Sequence, residues 1–240
     1  MISPLQVIQK NIVEYGHHIY LVPGVTAPRF AYTIGLSDTL GAELVFAGGA
    51  SYTAKEVRQI VNDIATQLRS NPEFSAKIEI AKLGVFTFEK VNDSWIQSLL
   101  LGALDYYKDR VISAYQILPD KCHGTIDIPD LRRPWCAASE PAWRWYYEEW
   151  PFPIPRKSVA VTNLEALRGR RITEAARWED DQWEMFAGPG PDVVREDVRV
   201  VPLAILLGVD ASLQSVVSLE LGKAIRRDEK DGAWQLWEKK

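Results

Sequence analysis

Phe30-Ala31-Tyr32-Thr33-Ile34-Gly35-Leu36 is the stretch from which the rest of the chain can be read. Its alternation is that of a short strand. Phe30, Tyr32 and Ile34 fall on one face, and Ala31 and Thr33 on the other. Gly35 then permits a turn through backbone angles closed to other residues. His17 to Val22 before it and Glu43 to Ala47 after it also read as strands. At such short spacing the three are expected to share one sheet, with the Phe30 strand second in sequence.

Helix signals frame these strands. Ser3-Pro4 opens a helix with an apolar face of Leu5, Ile8, Ile12 and Val13, and Gly16 ends it. Thr53 and Glu56 have capping-box spacing ahead of the stripe Val57, Ile60, Val61, Ile64 and Leu68, and Asn71-Pro72 stops that helix. Ile78 and Ile80 alternate with charged residues, and Val85 to Phe88 reads as a neighbouring strand. Asp93-Ser94 caps a further helix with Trp95, Leu99, Ala103 and Tyr106 inward, and Val111 to Leu118 is a strand closed by Pro119-Asp120.

Downstream, Pro151, Pro153 and Pro155 impose an extended segment, which puts a boundary near Phe152. Beyond it, Ser158 to Val161, Gly169 to Ile172, Trp183 to Phe186 and Val198 to Val201 are strand candidates. Leu203 to Leu207 and Leu213 to Leu219 read as short helices. Gly222 to Arg227 with Trp234 to Trp237 reads as a closing hairpin with Asp231-Gly232 near its turn. The predicted fold class is therefore α/β (α+β). A mixed β-sheet with flanking helices occupies residues 1–151, and a smaller C-terminal α+β module occupies residues 152–240.

Composition narrows the function classes. Of 240 residues 47% are hydrophobic and 25% charged, an ordinary globular balance. The net charge of −4 argues against a phosphate-backbone binder, so no nucleic-acid partner is expected, despite the small basic patch Arg168-Gly169-Arg170-Arg171. No apolar run approaches the roughly 18 residues needed to cross a bilayer, so no membrane association is expected. Met1 to Gln6 lacks a charged segment followed by an apolar one, which makes the expected location cytoplasmic. Cys122 and Cys136 are then reduced thiols. With His123 they could offer three zinc ligands, but CxxC spacing is absent, so neither a metal nor a cofactor is expected. Gly48-Gly49, between a strand and a helix, lacks a GxGxxG pattern or a Walker lysine and reads as a tight turn.

Two constellations remain as candidate sites. His17, Tyr32, Thr33 and Asp120 could line a polar cleft at the strand ends, with Asp120 or His17 bonding the Tyr32 hydroxyl. Trp143, Trp145, Trp150 and Trp183 belong to a chain with nine tryptophans. Such residues either fill the junction between two domains or make a partner-binding surface.

Resemblances attach to both halves. Tyr15-Gly16-His17, Phe30 to Leu36, Glu43 to Phe46 with Gly48-Gly49, and Tyr115 to Asp120 resemble the bacterial family catalogued as domain of unknown function 4262, over roughly residues 10–136. In the second half the matching order is Asp181 to Gly188, Val200 to Leu203, Asp210 to Leu213 and Gly222 to Arg227. It is similar to the immunity-protein-like domain of unknown function 2185. That family's Ser-Gly pair is replaced here by Gln182, and Arg226 stands where it has Glu. The second resemblance implies an appended small bacterial binding domain, a toxin-neutralising one among the alternatives. The expected function is a protein-binding module, immunity-like or regulatory, with a protein partner. The alternative is a small-ligand binder or hydrolase-like enzyme using the cleft near Tyr32 and Asp120.

Overall fold

The computed structural model describes residues 3–230 and 232–237. Contacts divide the chain into two compact units. One gathers the residues up to Pro23 with Arg29–Gly124 and Asp130–Cys136. The other gathers Gly24–Pro28, Thr125–Pro129 and the chain from Ala137 onward.

The first unit is built on a mixed six-stranded sheet. In chain order its elements are α1 (Pro4–Tyr15), β1 (His18–Val22), β2 (Phe30–Ile34), β3 (Glu43–Ala47), α2 (Ala54–Ser70), β4 (Ile78–Ile80), β5 (Gly84–Lys90), α3 (Asp93–Leu99), α4 (Leu101–Tyr107) and β6 (Ala114–Pro119). The spatial order is β1-β2-β3-β6-β5-β4, and only β3 and β6 run parallel. The expected sharing of one sheet by the first three strands is observed, with Tyr20 opposite Tyr32 and Tyr32 opposite Val45.

The two faces of β2 explain its burial at every position. Ala31 joins Leu44, Phe46, Phe86 and Ile117 in a core completed by Val57, Ile60, Val61, Ile64 and Leu68 of α2. On the opposite face Gly102 of α4 meets Tyr32, and its N–H donates to the Tyr32 hydroxyl at 2.9 Å. A Cβ at Gly102 would lie 2.6 Å from that oxygen, so only glycine allows the approach. The single helix expected after Asp93 is accordingly two, broken at Leu100 (ψ 36°). The Gly102 N–H stands in the first turn of the second, where no intrahelical acceptor serves it.

The second unit holds α5 (Arg144–Tyr147), β7 (Val159–Asn163), α6 (Leu164–Leu167), β8 (Glu174–Glu179), β9 (Gln182–Phe186), β10 (Val198–Pro202), α7 (Leu203–Val209), β11 (Lys223–Arg226) and β12 (Gln235–Leu236). Its sheet order is β10-β7-β9-β8-β11-β12, again with one parallel pair, β7 and β9. The Gly169 to Ile172 stretch, expected to open a strand, is loop, because Gly169 takes φ +94°, outside the β region. The next strand starts at Glu174. β11 and β12 pair antiparallel as the expected hairpin. Asp231 of its expected turn lies outside the described residues.

Five consecutive residues of α7, Leu203 to Leu207, are buried, the pattern of a helix enclosed on all sides. Its Gly208 faces the single 3-10 turn Pro141–Trp143, where a Cβ would lie 2.1 Å from the Pro141 carbonyl oxygen. Asp210, Ser212 and Arg227 also meet here. The buried Arg227 guanidinium donates to Asp210 at 3.0 Å, to the Ser212 hydroxyl at 2.6 Å and to the Ile172 carbonyl at 2.7 Å.

Candidate functional site

The four residues expected to form a cleft in the first unit do not converge. Glu43 pairs with Ala114 in the parallel β3–β6 ladder, so Thr33 and Glu43 lie where β6 begins. Asp120 follows the other end of β6, six residues on, roughly 20 Å at the rise of a strand. Tyr32 does not need Asp120, since Gly102 serves its hydroxyl.

Thr33 organises a polar knot instead. Its hydroxyl donates to Glu43 at 2.6 Å and accepts the Leu44 N–H at 2.9 Å. The fully buried Glu43 carboxylate also accepts the N–H groups of Ser37 at 2.8 Å and Gly35 at 3.2 Å, and the Tyr107 hydroxyl at 2.6 Å. Burial and the charge of Glu43 push the Tyr107 hydroxyl well above the usual tyrosine range, so it stays a donor. Gly35 reaches this position with φ +112°, which favours glycine. Sequence reasoning passed over Glu43 as a site residue. Its signal was an acid heading the apolar run Leu44 to Ala47, because a carboxylate buried with a strand must find donors.

Asp120 has other company. It accepts the N–H groups of Val85 at 2.9 Å, Cys122 at 3.0 Å and His123 at 3.2 Å, and it lies 2.8 Å from His123 Nδ1. Burial pushes its carboxyl up, but the Val85 and His123 bonds outweigh this and hold it below the usual carboxylate range. The His123 ring stacks on Tyr52 with centroids 5.3 Å apart. Cys122 and Cys136 are exposed and not joined in a disulfide. Among the described residues no group of three or more His, Cys, Asp or Glu is placed to hold a metal ion.

The tryptophans named as a partner surface mostly face inward. Trp143, Trp145 and Trp183 are buried. Trp143 donates to the Asp127 carbonyl at 2.8 Å, and Trp150, half-buried, donates to the Ile154 carbonyl at 2.8 Å. Trp145 meets Trp150 and Phe152 edge to face. Their indoles gain more from removing apolar area from water than they could from a free surface.

A different aromatic site opens on the outer face of the second sheet. Trp183 and Met185 of β9 point into the core, so Glu184 and Phe186 point away. Across the ladder Ala176 lies opposite Glu184, and Ala224 opposite Ala176. These alanines floor a cavity of about 430 Å³ walled by Trp178, Phe186 and Trp237. Glu174, also in the lining, accepts the Gly190 N–H at 2.8 Å. Glu184 makes no hydrogen bond or ion pair among the described residues. The sequence signal was weak, because Glu184 stands in an acid-rich stretch with Glu179, Asp180 and Asp181.

The fold thus defines an α+β protein of two mixed sheets, with a buried polar knot in the first unit and an aromatic groove in the second. Residues 11–125 match the model of the family DUF4262, a domain of unknown function. The N-terminal resemblance is thereby borne out, and the match ends before the residues that carry the C-terminal one. No curated protein and no solved structure matches the chain. No helix among the described residues is long and apolar enough to cross a membrane.

Proposed function

We propose that this chain is a protein-binding module whose docking surface is the groove over β8, β9 and β11. The observation that carries this reading is the cavity of about 430 Å³ with a floor of alanines and walls of Trp178, Phe186 and Trp237. Aromatic walls are typical of the residues that dominate binding energy at interfaces. Small floor residues leave depth for an inserted side chain. Glu184, in the middle of the floor and without a cation partner among the described residues, selects a basic one. The occupant is therefore a lysine or arginine of a partner protein. Its stem lies on Ala176 and Ala224, and its charged head lies at Glu184 beside aromatic faces. An immunity-like or regulatory role in the cytoplasm suits a module of this kind.

Filling the groove tests the reading. Wild type and Ala176→Trp are used as baits in a bacterial lysate, with bound proteins identified by mass spectrometry and folding checked by circular dichroism. A stoichiometric partner retained by wild type and lost by a folded Ala176→Trp is expected. Equal capture by both baits, or none by either, would count against the groove.

A further inference from the structure

The groove over β8, β9 and β11 has a lining whose chemistry narrows its occupant further than charge alone. One row of residues crosses the sheet at its centre. Glu184 of β9 lies opposite Ala176 of β8, and Ala176 lies opposite Ala224 of β11. The Trp237 N–H donates to the Ala224 carbonyl at 2.8 Å, which continues the register that pairs Ile225 with Leu236. The row therefore reads Glu184, Ala176, Ala224, Trp237, and all four line the cavity. Neighbouring strands lie about 4.8 Å apart, so the ends of the row are about 14 Å apart at the backbone. A carboxylate comes from one end and an indole from the other, and the two alanines keep the space between them open. Trp178 and Glu174 flank Ala176 along β8, and Phe186 lies opposite Glu174.

The polar inventory of this lining is short. Glu174 and Glu184 supply carboxylates, Trp178 and Trp237 supply indole N–H groups, and the other lining residues are alanine, glycine and Phe186. Glu174 is engaged by the Gly190 N–H, which leaves Glu184 for a ligand. An unmodified lysine head brings three N–H donors and an arginine head five. One carboxylate serves only part of either set, and donors that lose water without gaining an acceptor are costly. A trimethylammonium carries the same charge with no donor to satisfy. Its methyl groups spread that charge over a surface that packs on aromatic faces.

We propose that the groove selects a trimethylated lysine of the partner protein, with the quaternary head over the alanine floor among Trp178, Phe186 and Trp237. Glu184 balances its charge, and the stem lies across Ala176 and Ala224. This rests on the groove being the docking surface, and it adds the chemical state of the side chain that enters.

Four probes titrated into the full chain test the proposal. Three are blocked Ala-Lys-Ala peptides, with the lysine unmodified, trimethylated at Nζ, or ending in a neutral tert-butyl group in place of the trimethylammonium. The fourth is the tetramethylammonium ion. Binding is read by calorimetry and by the indole N–H resonances of Trp178 and Trp237, assigned from single Trp178→Phe and Trp237→Phe variants. The trimethylated peptide is expected to bind saturably, to shift both resonances and to bind about tenfold more tightly than each other probe. Trp178 is exposed and Glu184 half-buried, so Trp178→Leu and Glu184→Gln should stay folded by circular dichroism. Each should weaken the trimethylated peptide by about threefold or more. An unmodified peptide that binds as tightly overturns selection for methylation and leaves the groove standing as a docking surface. An equally tight tert-butyl peptide overturns it too, because the groove then reads shape and not charge. Equally tight tetramethylammonium would replace the lysine with a free ammonium ion. The proposal also fails if no probe binds saturably, or if either variant binds the trimethylated peptide as wild type does. In each of these cases the lysate capture by wild type and Ala176→Trp judges the groove separately.

Discussion

Each unit buries a charged side chain in a polar knot, Glu43 in the first and Arg227 in the second, and the two are held in opposite ways. Glu43 of the first unit is satisfied by neutral donors, namely the backbone N–H groups of Gly35, Leu36 and Ser37, the Thr33 hydroxyl and the Tyr107 hydroxyl. Arg227 of the second is held by a carboxylate, a hydroxyl and a carbonyl, and its guanidinium lies 4.3 Å from the Trp234 ring. The Glu43 donors come from β2, the turn after it and α4, so one side chain fixes the turn at Gly35 and ties it to a distant helix. The Arg227 partners tie the end of β11 to the segment after α7 and to the loop before β8. The Glu43 carboxylate is fully buried, while Asp210 in the second knot stays about one third exposed. A knot of the first kind has no solvent to fall back on when broken.

The largest expected effect is therefore at Glu43. Glu43→Ala leaves several buried donors without an acceptor and should cost about 4 kcal/mol or more. Urea unfolding can assign the loss to a unit, because seven of the nine tryptophans belong to the second. The far-ultraviolet transition should move to lower urea while the fluorescence transition moves less. Equal movement of both would show that the two units unfold as one and would erase the contrast.

Asp210→Ala should be milder, about 2 kcal/mol, because solvent at the exposed side of Asp210 can rehydrate part of the guanidinium. Here the fluorescence transition should lead. Burial pushes the Asp210 carboxyl up, but bonds from Ser212 and Arg227 outweigh it and hold it below the usual range. Its contribution is present above the unfolded value of about 3.9 and is lost as pH falls through the lower folded value. A loss at Asp210 as large as that at Glu43 would break the comparison.

The smallest effect concerns pH and returns to the first unit. Burial, with the nearby Arg69 charge second, gives His17 a folded value of about 4 against an unfolded value of about 6.5, so the unfolded chain binds more protons between them. Stability of the first unit should thus fall as pH drops from about 6.5 to about 4 and level off below. The slope in the urea midpoint of the far-ultraviolet signal should be absent from His17→Gln. An unchanged slope in that variant would remove His17 as its source.

Much of the first unit was legible because its signals are local. The caps at Ser3 and Thr53, the stripe of α2 and the alternation in Phe30 to Ile34 each need only neighbours in sequence, and each appears where the pattern put it. The candidate cleft was not legible. Tyr32 and Asp120 look close when strands are drawn side by side, but the register puts Tyr32 level with Val45 and Gln116, two strands away and four residues short of Asp120. The break at Leu100 also escaped; the Gly102 N–H just beyond it bonds the Tyr32 hydroxyl, 70 residues away in sequence.

By itself, then, the sequence determined the elements and the α+β class, since propensity, capping and periodicity act over a few residues. Only the tertiary structure decided which polar groups meet. It turned Thr33 and Glu43 into a knot, sent Trp143 and Trp183 inward, and left Glu184 facing a cavity. Those outcomes depend on strand order and register, which bring residues together across long stretches of chain and leave little trace in any short one.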